Sequence, residues 1–257
     1  MHADFLREHS LIESLLVAVT RVTTLLNKER KTNATGFFFE RDSRLYLVTA
    51  RHVLRDEASE HRPDSLLIEL HVDPDNAVRV MPFMIPLFSK GKPVWQEGAD
   101  SAGEVDVAVV ELDRSALPAT LLLQAFTPDH LVTQLDEIEV GTSLLIVGFP
   151  LGFQDALHHL PVARQAIVAT SFGLRFQGEG YFLTDARMHR GASGAPVVAR
   201  AASRQSGRQD LHWRLLGVHT SRMDVDNRDE AEDERLNLNC AWYADIIMKL
   251  TETPSGG

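Results

Sequence analysis

Short apolar stretches separated by turn residues recur along the chain, and most are too short to be helices. Leu15–Leu26, Gly36–Phe39, Leu45–Ala50, Leu66–His71, Val78–Met84 and Val105–Leu112 are rich in Val, Ile, Leu and Phe. They predict about six strands, enough to close one small barrel. A second series follows in Glu137–Val140, Ser143–Val147, Gln165–Thr170, Tyr181–Thr184, Ala195–Val198 and Trp213–Val218, and predicts about six more. Between the two lies Pro118–Leu135, whose Pro128 and mixed polarity predict a connection over the surface. At the end, Trp242, Ile246, Ile247 and Leu250 recur at helical spacing. Ala241–Leu250 is therefore expected to be an amphipathic helix packed on the second half.

Composition narrows the picture. With 257 residues, 44% hydrophobic and 24% charged, the chain suits an ordinary folded protein with a large core. Its single cysteine, Cys240, cannot form an internal disulfide and is expected as a small buried thiol in the apolar stretch Leu238–Trp242. A formal net charge of −10 argues against a nucleic-acid partner. Part of that charge is local: Asp224–Arg235 carries Asp224, Asp226, Asp229, Glu230, Glu232, Asp233 and Glu234. Such a run reads as a solvated loop, and more sharply as a contact for a basic partner or protein activator. The amino terminus has no signal peptide of the usual form, and no span of about 18 apolar residues occurs. No membrane association and a cytoplasmic location are expected. His158, His159, His189, His212 and His219 lack metal-ligand spacing, so neither a metal nor a cofactor is expected.

Three short motifs carry candidate chemistry. In Leu47-Val48-Thr49-Ala50-Arg51-His52-Val53-Leu54 an apolar strand runs into a histidine. In Val105-Asp106-Val107-Ala108-Val109-Val110 an acid sits inside an apolar strand. In Gly191-Ala192-Ser193-Gly194-Ala195-Pro196-Val197 a serine stands among small residues at a tight turn. Singly each has a bland explanation; together they supply a base, its orienting carboxylate and a nucleophile. A serine hydroxyl needs an imidazole to take its proton during attack and return it to the leaving amine. The imidazole needs a carboxylate on its other nitrogen to fix the tautomer and stabilise the cation. The glycine two residues before the serine lets the N–H groups of Gly191 and Ser193 face a developing oxyanion.

The sequence resembles the chymotrypsin-like, or trypsin-like, serine peptidases. The chain order His, Asp, Ser is that family's order. The resemblance implies His52 as general base, Asp106 as its orienter and Ser193 as nucleophile. Thr49-Ala50 before the histidine, Gly194-Ala195-Pro196 after the serine and Leu216-Gly217-Val218-His219-Thr220 on the expected pocket-lining strand are similar to family phrases. Phe182-Leu183-Thr184-Asp185-Ala186 and Gly148-Phe149-Pro150-Leu151-Gly152 resemble the bacterial Deg/HtrA-like branch, here without a PDZ domain. The implied fold is all-β: two six-stranded antiparallel β-barrels with a C-terminal α-helix. Residues 1–118 would form the first unit, 119–135 the connection and 136–257 the second. The two units share one active site, because His52 and Asp106 fall in one and Ser193 in the other.

The implied substrate is a polypeptide bound as an added strand near Thr220. A histidine at position 219 resembles that of glutamyl endopeptidases, where it faces an acidic side chain, and Arg187 on the wall leading to the serine would add positive charge; the resemblance implies a preference for an acidic residue before the scissile bond. Ala192 stands where digestive relatives carry the aspartate that receives a newly cut amino terminus, so activation by cleavage is not expected. An α/β-hydrolase is disfavoured, because Ala195 stands where its motif needs glycine and Pro196-Val197-Val198 reads as strand. Two further readings remain: a catalytically silent binding or sensor module, and a conditionally active enzyme in which Leu151–Val162 is a ligand-ordered loop.

Overall fold

A computed structural model of the chain describes residues 12–201, 211–222 and 236–252. The first unit holds β1 (Val19–Leu26), β2 (Glu29–Arg41), β3 (Arg44–Thr49), the single-turn helix α1 (Arg51–Leu54), β4 (Ser65–His71), β5 (Val80–Pro86), the small hairpin β6 (Phe88–Ser89) and β7 (Lys92–Pro93), β8 (Trp95–Ala99) and β9 (Glu104–Leu112). The second holds β10 (Ser143–Gly148), β11 (Val162–Val168), β12 (Tyr181–Asp185), β13 (Ala195–Arg200), β14 (Trp213–Arg222) and β15 (Leu238–Tyr243), followed by α2 (Ile246–Leu250).

The architecture is all-β, as expected. The second unit is a closed six-stranded barrel in the order β10-β11-β12-β15-β14-β13. The first is a seven-stranded antiparallel sheet, β5-β4-β1-β2-β3-β9-β8, in place of six closed strands. Its extra member, β8, has Trp95 as its one buried side chain, so its apolar pattern is too thin to read as a strand.

Four local expectations are corrected. Residues Leu16–Ala18 form a three-ten turn, and the strand expected from Leu15 starts at Val19. Glu137–Val140 is not a strand: Leu135–Glu137 is a three-ten turn and Val140 stands in solvent. The sixth strand of the second barrel is instead β15, whose Trp242 pairs with Val218 and Tyr181. Those cross-strand hydrogen bonds outcompete the helical spacing of Trp242, so the helix is confined to Ile246–Leu250. This helix packs on the first unit: Lys249 Nζ donates to the Ala99 carbonyl at 2.8 Å and Arg41 Nη1 to that of Met248 at 2.6 Å.

The segment between β9 and β10 does more than cross the surface. Phe126 is fully buried, bridges to Phe39, and stacks edge-on against Phe37 at 5.5 Å. It belongs to an apolar core shared by both units, with Phe37, Val107, Val147, Val218 and Trp242. Separate cores fill the interior of the first sheet, around Phe38, Leu47 and Ile68, and of the barrel, around Ile146, Phe182 and Leu216. The shared core sets one unit against the other, and burying each large side chain in it stabilises the pair by about 1.5–3 kcal/mol.

Candidate active site

The strand β3 pairs antiparallel with β9, Thr49 opposite Ala108. Continuing that register two residues along β9 brings Asp106 beside the turn α1 that follows β3. Asp106 holds His52 twice. Its Oδ1 accepts from the His52 backbone N–H at 2.9 Å, and its Oδ2 lies 2.8 Å from His52 Nδ1. An ionised carboxylate can only accept, so Nδ1 carries the proton and Nε2 keeps the lone pair. Burial pulls the His52 pKa down, but the hydrogen bond and charge of Asp106 outweigh it and the net shift is upward; Asp56 adds to the rise and Arg51 opposes it.

Ser193 lies in a tight loop between two glycines in the left-handed region, Gly191 at φ +92° and Gly194 at φ +89°. Both are sterically required. A Cβ on Gly194 would lie 2.1 Å from the Thr35 carbonyl oxygen and 2.3 Å from Thr49 Oγ1, and one on Gly191 would lie 2.5 Å from the Phe149 carbonyl oxygen. The serine loop of the barrel is thus pressed onto β2 and β3, next to the strand end that carries His52. Thr35 N–H donates to the Ser193 carbonyl at 2.9 Å and Gly194 N–H to the His219 carbonyl at 2.7 Å. Among the described residues, the N–H groups of Gly191 and Ser193 have no acceptor. The Ser193 hydroxyl donates to the Thr220 carbonyl at 2.9 Å, and no hydrogen bond joins it to His52. Rotation about one side-chain bond is what re-aims a serine hydroxyl between such partners.

Thr220 is buried on β14, where its carbonyl faces the serine. His219, only 3% exposed, pairs with Ala195 and Ala241 and so shares their inward face of the barrel. Arg187 is exposed on the segment leading to Ser193. Cys240 is buried, and burial pushes its thiol up to about 11 despite a hydrogen bond from Ser221; a protonated thiol is no nucleophile. The acidic segment 224–235 lies outside the described residues. No helix among the described residues is long and apolar enough to cross a membrane.

Thr35 stood outside the three motifs, and Thr49 entered them only as a neighbour of the histidine. The buried Thr35 hydroxyl donates to the Gly191 carbonyl at 2.8 Å and accepts from the Phe149 N–H at 3.1 Å, tying the serine loop and the segment after β10 to β2. Thr49 Oγ1 donates to the Thr35 carbonyl at 2.7 Å. A polar residue before a glycine in an apolar strand was the only signal for Thr35, and nothing in it points 156 positions downstream.

A two-unit β fold with a hydrogen-bonded histidine–carboxylate pair in one unit and a serine between positive-φ glycines in the other is the arrangement of the trypsin-like class. The family model of the trypsin-like peptidase domain matches residues 34–204, well over half of the chain, and the chain belongs to that family. Three solved structures share its fold. The HtrA-type protease AlgW with tripeptide is similar at 18% identity and TM-score 0.53, over 91% of this chain and 58% of that one. The serine endoprotease from Yersinia pestis is similar at 15% identity and TM-score 0.50, over 96% of this chain and 66% of the other. The active form of the Rv3671c protease from M. tuberculosis is similar at 15% identity and TM-score 0.50, over 99% and 89%. This chain spans less than two thirds of the length of the first two. No curated protein matches the sequence.

Proposed function

We propose that this chain hydrolyses peptide bonds in polypeptides through His52, Asp106 and Ser193. The observation that carries the reading is the double hydrogen bond of Asp106 to His52, which in the neutral imidazole puts the proton on Nδ1 and the lone pair on Nε2. Ser193 Oγ attacks the scissile carbonyl carbon while His52 Nε2 takes the hydroxyl proton, and the carbonyl electron pair moves onto oxygen. The unpartnered N–H groups of Gly191 and Ser193 receive that oxyanion. Collapse expels the amine, which takes the proton from His52, and leaves an acyl-enzyme. Water activated by the same imidazole then releases the acid and frees Ser193.

The substrate segment before the scissile bond adds as a strand alongside β14 near Thr220. Arg187 supports an acidic residue immediately before the bond through its exposed positive charge; His219, sealed in the barrel, supports it less. Peptide-library profiling tests that preference, and a preference for basic or aliphatic residues removes it.

Fluorophosphonate labelling tests the reaction. Ser193 is expected to be labelled and Ser193→Ala to be inert. Equal absence of labelling in both, with and without candidate activators, would leave a silent binding module instead.

A further inference from the structure

Val105 and Asp106 are neighbours on β9, so their side chains point to opposite faces of the strand. Asp106 turns to His52; Val105 turns to a cavity of about 470 Å³ where β14, β15, α2 and the segment before β12 meet the first unit. Its interior is apolar, walled by Val105, Phe172, Leu215, Leu216 and Trp242. Small-molecule sites have volumes of about 300–1,000 Å³ and this same build, apolar walls with a few polar groups that fix orientation. None of His52, Asp106, Ser193 and Thr220 lines the cavity, so what it binds is separate from the substrate at the serine.

Four charged side chains line the cavity as well, and their pairing is uneven. Arg175 donates to the Asp100 carboxylate and, at 2.6 Å, to Ser101 Oγ, so the charges of Arg175 and Asp100 cancel. Asp245 and Lys249 are both exposed and stand four residues apart at α2, the spacing at which an acid and a lysine ordinarily pair. They form no ion pair. Lys249 Nζ donates to the Ala99 carbonyl at 2.8 Å, which leaves two of its three hydrogens, and the Asp245 carboxylate accepts no hydrogen bond among the described residues. An open carboxylate and a half-used ammonium, on side chains whose Cβ atoms lie about 5–6 Å apart at this spacing, thus flank the way into an apolar interior.

A simple amine would match Asp245 and be repelled by Lys249, and a simple acid the reverse. An amino-acid backbone carries both groups on adjacent atoms. We propose that the cavity binds an α-amino acid with a large apolar side chain, taken free or as the first residue of a peptide. Its ammonium meets Asp245, its carboxylate or carbonyl oxygen meets Lys249, and its side chain enters the cavity against Phe172 and Trp242. The site does not depend on the peptidase reading above, and Val105 places it directly behind the strand that holds Asp106.

Isothermal titration on the Ser193→Ala chain, in which nothing is cut, tests this with phenylalanine, leucine, alanine, N-acetylphenylalanine and the peptide Phe-Gly-Gly as probes. Phenylalanine or Phe-Gly-Gly is expected to bind saturably at one site. Alanine should bind about tenfold or more weakly for want of apolar burial, and N-acetylphenylalanine about tenfold or more weakly for want of the ammonium. Adding Asp245→Asn should remove the difference between phenylalanine and its N-acetyl form. Adding Gly173→Leu should block every probe by filling the cavity; no atom lies within 4 Å of a Cβ built on that lining glycine, so the fold accepts the change. Binding of Phe-Gly-Gly without phenylalanine assigns the site to peptide amino termini, and equal binding of both assigns it to free amino acids as well. No saturable binding of either overturns the proposal, and so does binding that N-acetylation, Asp245→Asn and Gly173→Leu all leave unchanged.

Discussion

The buried hydroxyl of Thr35 donates to the Gly191 carbonyl at 2.8 Å, so a side chain of the first unit orients a peptide of the loop that carries Ser193 in the second. The same oxygen accepts from the Phe149 N–H. Replacing it by an isosteric group leaves a buried C=O and a buried N–H without partners, each costing about 1–3 kcal/mol. Thr35→Val is therefore expected to lower stability and to slow labelling of Ser193, while Thr35→Ser retains most of both. Thermal unfolding and labelling rates on the three chains check this; a Thr35→Val chain indistinguishable from wild type would remove the role.

Gly194 allows a sharper steric test. A Cβ there meets two fixed oxygens, one of them backbone, and the φ of +89° disfavours any side chain. Gly194→Ala should cost about 3 kcal/mol or more and abolish labelling. Gly173→Ala is the control, since nothing lies within 4 Å of its added Cβ. Denaturant midpoints of the two variants should differ clearly.

The pH profile follows from the upward shift of His52. Only the neutral imidazole acts as a base, so kcat/KM should rise with pH through a value above the ordinary histidine pKa of about 6.5. In Asp106→Asn the hydrogen bond and charge that raise the pKa are gone and burial prevails. The acid limb should then move to lower pH while the rate drops by about 10⁴-fold, because the tautomer is no longer fixed. An unmoved limb in the variant would show that Asp106 does not set the His52 pKa.

Acid stability depends on other histidines. His71, with Nε2 2.7 Å from the His158 carbonyl, and His130, with Nε2 3.0 Å from that of Leu211, both have pKa values lowered chiefly by burial. A depressed folded pKa means that their contribution is complete above the unfolded value of about 6.5 and is lost as pH falls through the folded values. His52 has the opposite sign: its contribution is present in acid and lost as pH rises through its elevated value. Unfolding midpoints should therefore drop on acidification, and the drop should shrink in a His71→Gln, His130→Gln chain. An equal drop in both chains would assign acid sensitivity elsewhere.

Period-two apolar patterning located most of the strands, because alternate burial is a local property that leaves its mark wherever one face meets a core. The three motifs were legible for a similar reason: a histidine at a strand end, an acid among valines and a serine between glycines each violate their surroundings. Where patterning misled, non-local pairing decided. Trp242 has helical spacing to Ile246, yet its backbone completes the barrel between Tyr181 and Val218. β8 shows one buried residue and still extends the first sheet. The amino-acid sequence by itself determined the all-β class, two strand-rich halves and the identities of His52, Asp106 and Ser193. Only the tertiary structure decided that Thr35 steers the Gly191 peptide, that Phe126 joins both units in one core, and that Leu151 backs onto the peptide of Arg190 and Gly191. Those relationships arise from chain segments far apart in sequence meeting at fixed distances, and no local pattern of residues encodes a distance.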